Sequence, residues 1–461
     1  MSFEGEFASY EPLRRILDSE KIKALEARLR IQPTNTLSKN IQNLLTHKNE
    51  LSHSNVQPDF VLAIDGSHQE VYPEKGFPGA AYGYIAIASV LIDLKKIQQL
   101  AKDDIIDPKS FRKTEEASTQ ESGFPGCNII VDSEKDAKSS FRRVLFEDLK
   151  NTRSFSDGET LLDTYEYLFR IKREKFPETD NALPHSPIDS NYKMTYGYGE
   201  YKCPYSEETL FSTDALRLHE LMNSSGSNGE LFGQTMATLE KLWLVNILRA
   251  FENKKWLATL RRVAFIMDGP LAVFSTSSWL TKVIEIELRR INKLQKEIND
   301  EDLLIVGMEK SGIFFNHFLA IDTTKDGITD NFPKQTVFLL TDDYIKKNII
   351  YSESQKPYGQ DTYFGRKFFY KTLSGQKLVP VVAWFSDDQK DICTARPEQF
   401  ARLGDILELL DQLASNRYPN SISPLISAHA EAAIPLNLGR RLFDDIAKEI
   451  TKNSVLNKVV K

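Results

Sequence analysis

The sequence predicts an α/β fold, a mixed sheet flanked by helices, from three observations. Short apolar runs rich in β-formers are stopped by turn residues, and longer helical patterns alternate with them. One tract, residues 101–229, is instead rich in Pro, Gly, Ser and charge, and reads as a large inserted subdomain.

The elements follow in order. Residues 1–55 read as an N-terminal helical segment whose Leu13, Ile16, Leu17, Ile22, Leu25 and Leu29 form an apolar stripe among charges, suited to packing on a partner or on its own domain. FVLAID (60–65) is a short buried strand that Gly66-Ser67 should stop, and YGYIAIASVLID (82–93) is a second. Past the insertion, residues 230–251 read as a helix, 262–268 as a strand, 277–298 as a helix and 303–309 as a strand. Further strands are expected at 336–341, 363–371 and 378–385, with helices near 398–414 and 425–451. The fold domain is thus predicted over 56–100 and 230–445, with 101–229 inserted.

Charge narrows the functional classes. The 461 residues hold 59 Lys and Arg against 65 Asp and Glu, a net charge of -6, which excludes a globally basic nucleic-acid coat. Residues 101–230 carry 17 basic and 25 acidic residues, so the rest of the chain stands near +2. No apolar run is long enough to cross a bilayer, and the first residues lack a secretory pattern, so a cytoplasmic protein is expected. The three cysteines have neither disulfide-framework nor zinc-finger spacing. Cys203 and His219 alone cannot fill a tetrahedral zinc site. No GxxxxGK[ST] phosphate loop is present, so any ATP-driven motion must come from another subunit.

Two strands end alike: Asp65 precedes Gly66-Ser67, and Asp268 precedes Gly269-Pro270-Leu271. Carboxylates delivered by buried strands to one edge of a sheet suit Mg²⁺ or Mn²⁺, which prefer oxygen ligands, although Asp-Gly is also an ordinary turn. On the 230–251 helix, Phe232, Met236, Leu239, Trp243, Ile247 and Ala250 span an arc of roughly 80° at 100° per residue. Glu240 falls roughly 20° beyond that arc, close enough to the buried stripe to need a partner, a ligand or a bend outward. Lys310 follows a strand in a Ser/Gly turn, where an ammonium could meet a phosphate or simply be solvated. His429 lies in an apolar, small-residue helical stretch, as a core histidine, a metal ligand or a proton carrier.

Asp65-Gly66-Ser67, Glu240, Asp268-Gly269-Pro270-Leu271, Gly307-Met308-Glu309-Lys310-Ser311 and Ala428-His429 occur in the order of the NurA nuclease family, which the chain resembles over about 55–95 and 230–440. The resemblance implies an RNase H-like fold and Mn²⁺- or Mg²⁺-dependent cutting of DNA. It further implies a homodimer working with a HerA-like hexameric ATPase in DNA end processing or antiviral defence. By it, Asp65, Glu240 and Asp268 are metal ligands, His429 is a further ligand or a proton carrier, and Lys310 is an electrostatic partner of the scissile phosphate. Tyr363, Arg366 and Phe368, in a segment like the family's aromatic and basic strand, are candidates for stacking on bases and holding phosphates, or else belong to an amphipathic edge strand with core aromatics. The acidic insertion departs from the compact family domain and is expected to dock a partner or gate the substrate. The rival reading is a catalytically silent scaffold of the same fold that binds DNA or an ATPase.

Overall fold

The computed structural model describes residues 11–29, 44–54, 56–72, 79–96, 115–179, 182–323, 330–414 and 422–433. The chain divides into two compact units, Met1–Ile41 and Gln42–Lys461. In the first, helices α1 (Glu11–Asp18) and α2 (Glu20–Glu26) carry Ile16, Leu17 and Leu25 as exposed apolar side chains.

The second unit is built on a nine-stranded sheet. Its middle holds β2 (Phe60–Val71), β3 (Tyr82–Asp93) and β4 (Glu115–Pro125), antiparallel to one another, and then β7 (Val263–Asp268) and β8 (Leu304–Glu309), parallel to β2. The spatial order β4-β3-β2-β7-β8, three antiparallel strands followed by two that return in parallel, is the RNase H-like arrangement. Beyond β8 lie β11 (Lys377–Ala383), β10 (Gly365–Lys371), β9 (Thr336–Leu339) and β1 (Leu45–His47), all antiparallel. A separate two-stranded ribbon joins β5 (Glu200–Lys202) to β6 (Thr209–Phe211).

Because side chains alternate across a strand, each strand feeds two cores. One face gathers Ile64, Ile85, Phe265 and Met267 under helices α3 (Ala137–Asn151), α4 (Leu161–Lys175), α5 (Gly229–Asn253) and α6 (Leu280–Asn299). The other gathers Val61, Ala63, Val90, Ala264, Ile266 and Val306 under α8 (Leu403–Leu413) and α9 (Ser423–Ala432), with α7 (Ile313–Asp322) placed between β8 and β9 in the chain. This two-sided burial is why β7 and β8 read as unbroken apolar runs. Helix α4 starts at a capping box, in which Thr160 and Asp163 satisfy each other's backbone N–H. Trp243 on α5 is buried against the sheet, and its loss to Ala would cost about 3–5 kcal/mol.

Three expectations are corrected. Gly66-Ser67 does not stop the first strand: β2 runs on to Val71, held across its whole length by β3. Residues 115–125, counted with the insertion, form β4 of the main sheet, and α3 and α4 from the same stretch fill its core. Residues 45–47, counted with the N-terminal helical segment, extend as β1 because β9 offers an unpaired edge to them. The helix expected at 425–451 is described only as far as Ala432, and its remainder lies outside the described residues.

Candidate active site on the parallel strands β2 and β7

Register brings the two aspartates together. The parallel pairing of β2 with β7 runs from Phe60 opposite Val263 to Ile64 opposite Met267, so Asp65 and Asp268 stand next in line across the same rung. Both share the strand parity of Ala63 and Ile266, the face covered by α9. Asp65 is only 1% exposed, and His429 on α9 places its Nδ1 3.2 Å from Asp65 Oδ2 while its own side chain stays 61% exposed. Asp268 is half-buried, and the ammonium of Lys310, just past the end of β8, lies 2.9 Å from its Oδ1.

Glu240 arrives from the opposite layer, on α5, and Gly66 is what admits it. A Cβ at position 66 would lie 2.6 Å from Glu240 Oε1 and 2.8 Å from Met236 Cγ, so a side chain there would displace the Glu240 carboxylate and the Met236 side chain. Glu240 is buried, and the buried ammonium of Lys241 donates to its Oε2 at 3.0 Å.

The electrostatics follow from crowding three carboxylates in a desolvated place. Burial first, and then the charges of Asp268 and Glu240, push Asp65 up to about 8, against the pull of Lys310. Burial likewise raises Glu240, although Lys241 draws it back and Asp268 adds to the rise. Stabilising the charged forms therefore requires more positive charge than Lys241 and Lys310 supply.

That excess is the test of whether a hard divalent cation fits. Among the described residues, no three His, Cys, Asp or Glu side chains stand at the spacing of a ready ligand cage. Mg²⁺-type sites do not need one, since one or two carboxylates with water and substrate phosphate complete them. Asp65 and Asp268 on adjacent strands meet that requirement, and Glu240 and His429 flank them. The donor set fits a hard divalent ion.

Beside Asp268 and Lys310 opens a cleft of about 480 Å³. Tyr363 lines it, 7% exposed and edge-on to Phe274 with ring centres 5.6 Å apart. The other two side chains proposed from the aromatic and basic strand are turned away from solvent. Arg366 is 3% exposed and donates to the carbonyls of Gln389, Asp391 and Thr394 while lying over the Phe400 ring. Phe368 is fully buried in the α8–α9 core. A side chain spent in this way cannot hold a phosphate or stack on a base.

Sequence reading missed Lys367, whose ammonium is buried in the cleft wall, 2.5 Å from Glu309 and 3.7 Å over the Phe314 ring. Strand alternation was the available signal, since Lys367 has opposite parity to Arg366 and Phe368. Lys241, next to a helix residue already suspected of burial, was the other omission.

The NurA domain model matches residues 60–434. Solved structures similar to the chain include the NurA nuclease from Sulfolobus solfataricus, at 10% identity over 96% of this chain and 97% of that one, with a TM-score of 0.35. A structure of NurA with manganese aligns at 11% identity over 92% of this chain and 95% of that one, with a TM-score of 0.23. No curated protein matches.

Proposed function

The chain belongs to the NurA family of metal-dependent nucleases, and from that premise we propose that it hydrolyses DNA phosphodiester bonds at the Asp65–Asp268 pair. The observation that carries this reading is the meeting of two strand-borne aspartates with a helix-borne glutamate behind Gly66, in a place too negative to be at ease without a cation.

Asp65, Asp268 and Glu240, with His429 beside them, would hold Mn²⁺ or Mg²⁺, which supplies charge neutralisation at the scissile phosphate and makes water more acidic. Lys310 brings a fixed positive charge to the open side of Asp268, where a phosphate oxygen can approach it. His429 touches buried Asp65 on one side and solvent on the other, which suits it to pass a proton between them. Lys241 holds the Glu240 carboxylate in one orientation. The products would be a 5′-phosphate and a 3′-hydroxyl, as expected when water attacks phosphorus and the 3′ oxygen leaves.

Single-stranded DNA, cut internally or from a 5′ end, is the proposed substrate, and a homodimer with a HerA-like hexameric ATPase is the proposed assembly, acting in end processing or antiviral defence. The lack of a phosphate loop supports a separate motor. The exposed apolar residues of α1 and α2 and the acidic segment 101–229 are the proposed docking elements. End-labelled single- and double-stranded DNA, incubated with and without Mn²⁺, tests the central reading. Cleavage should require the ion and fall at least about 10³-fold in Asp268→Asn. Equal cleavage by a clean preparation of that variant would remove the site assignment and leave the silent-scaffold reading.

A further inference from the structure

A second cavity lies at the other end of β8 from the candidate active site. Its lining residues Glu301 and Asp302 precede that strand, whereas Lys310 follows it, so the length of six residues, roughly 20 Å, separates the two places. The cavity holds about 710 Å³, within the roughly 300–1,000 Å³ usual for ligand sites. Arg402 lines it with a side chain only 3% exposed. Its Nε donates to Asp405 at 2.7 Å and its Nη2 to Ser54 Oγ and the Val56 carbonyl, but its Nη1 is buried without an acceptor. A buried guanidinium nitrogen is normally paired, so this one marks a place for an acceptor oxygen. Helix α8 starts beside it with no side-chain cap, and its first residues, Leu403 and Gly404, line the same cavity.

The rest of the lining has the opposite character. Asp302 is satisfied by Asn292 and Lys296, and Asp405 by Ser54, Gln57 and Arg402. Glu50, Glu301 and Glu398, by contrast, have no ion-pair partner among the described residues. Burial raises Glu301 above the usual carboxylate range, Arg402 pulls it back, and Asp405, Asp302 and Asp300 push it up, so a cation is favoured there. The cavity also borders a strand edge: Thr46 of β1 lines it, and β1 is the last strand of the sheet, paired on one side with β9. An extended chain can lie along such an edge. We propose that this cavity receives the C-terminal end of a partner polypeptide: the terminal carboxylate meets Arg402 Nη1 and the first N–H groups of α8, and a lysine or arginine at the end meets Glu301 and Glu398. The partner is thereby held away from the Asp65–Asp268 pair, and its binding does not depend on the nuclease reading.

Calorimetric titration of the full chain tests this, with an N-acetylated hexapeptide of glycine and serine ending in two lysines and a free carboxylate. At about 0.15 M salt, which screens loose charge attraction, the peptide should bind with a dissociation constant of about 1 mM or tighter. The same peptide closed as a C-terminal amide should bind about 10- to 100-fold more weakly, the worth of a hydrogen bond to a charged group. Arg402→Lys keeps a charge for Asp405 but removes Nη1, and should weaken the free-carboxylate peptide at least about 10-fold. Because that side chain is buried, a second variant carries the test if the first fails to fold. Glu301→Gln combined with Glu398→Gln alters only the rim, and should weaken binding about 2- to 5-fold with an unchanged melting temperature. No binding to the unmodified protein, equal binding of the amide, or equal binding by the double variant overturns the proposal. Free L-lysine binding as tightly as the peptide overturns it too, because the β1 edge would then contribute nothing.

Discussion

Replacing Asp65 by Asn should make the protein more stable at pH 8 while abolishing its cleavage of DNA. Burial and the facing carboxylates raise Asp65 to about 8, whereas an unfolded chain releases that proton near 3.9. Between those values the folded state binds one proton more than the unfolded state, so stability is greatest at low pH and falls as pH rises. The slope is about 1.4 kcal/mol per pH unit, so this carboxyl alone removes about 3 kcal/mol between pH 5 and pH 7. Asparagine has the same shape and no charge to bury, and its amide can still face His429 Nδ1, 3.2 Å from the present carboxylate. Urea unfolding at pH 5, 6, 7 and 8 in EDTA should therefore give the native sequence a falling midpoint and Asp65→Asn a flatter one, with the curves crossing. Saturating Mn²⁺ should recover part of the loss in the native sequence, about 2.7 kcal/mol at a hundred times the dissociation constant, and little in the variant. Parallel pH curves for the two proteins would refute the reasoning, because they would mean that Asp65 carries no charge penalty in the fold.

Two further outcomes follow from single contacts. Gly66→Ala places a methyl 2.6 Å from Glu240 Oε1 and 2.8 Å from Met236 Cγ, so we expect a loss of about 1–3 kcal/mol and of most Mn²⁺-dependent cleavage; full activity in a folded variant would mean that Glu240 is not needed where it sits. Arg366→Ala leaves the carbonyls of Gln389 and Thr394 without the guanidinium donor, while that of Asp391 keeps Gln399 Nε2, so unfolding should become easier by about 2–4 kcal/mol while DNA affinity per folded molecule, measured by fluorescence anisotropy, stays the same.

Much of the sheet was legible because β7 and β8 are buried on both faces and so leave long apolar runs, bounded by Gly269 and by the Ser311-Gly312 turn. The site was legible where a carboxylate closed an apolar run, as Asp65 and Asp268 do, and in Glu240, whose angle beside the stripe signals burial. The rest depended on facts of pairing. Gly66 looks like a turn residue locally, but its missing side chain serves a helix 174 positions away along the chain, a contact that no window of sequence contains. The strand Glu115–Pro125, EEASTQESGFP, has the composition of a loop and is extended because β3 pairs with it along its length. Arg366 and Phe368 follow the core alternative, because a strand buried on both faces gives its polar residues no solvent side, so an arginine there must satisfy itself with backbone carbonyls.

The contact between His429 and Asp65 joins positions 364 residues apart. At about 5–20 residues per second of synthesis, a few tens of seconds separate the emergence of the first from that of the second. During that interval the sheet can begin to form, yet α9 has not been made and the strand that carries Asp65 has one face uncovered. A truncated or stalled chain would hold its aspartates in an open, wet setting, without the imidazole. The order of synthesis thus leaves the proposed site without its His429–Asp65 contact until nearly all of Gln42–Lys461 has been joined.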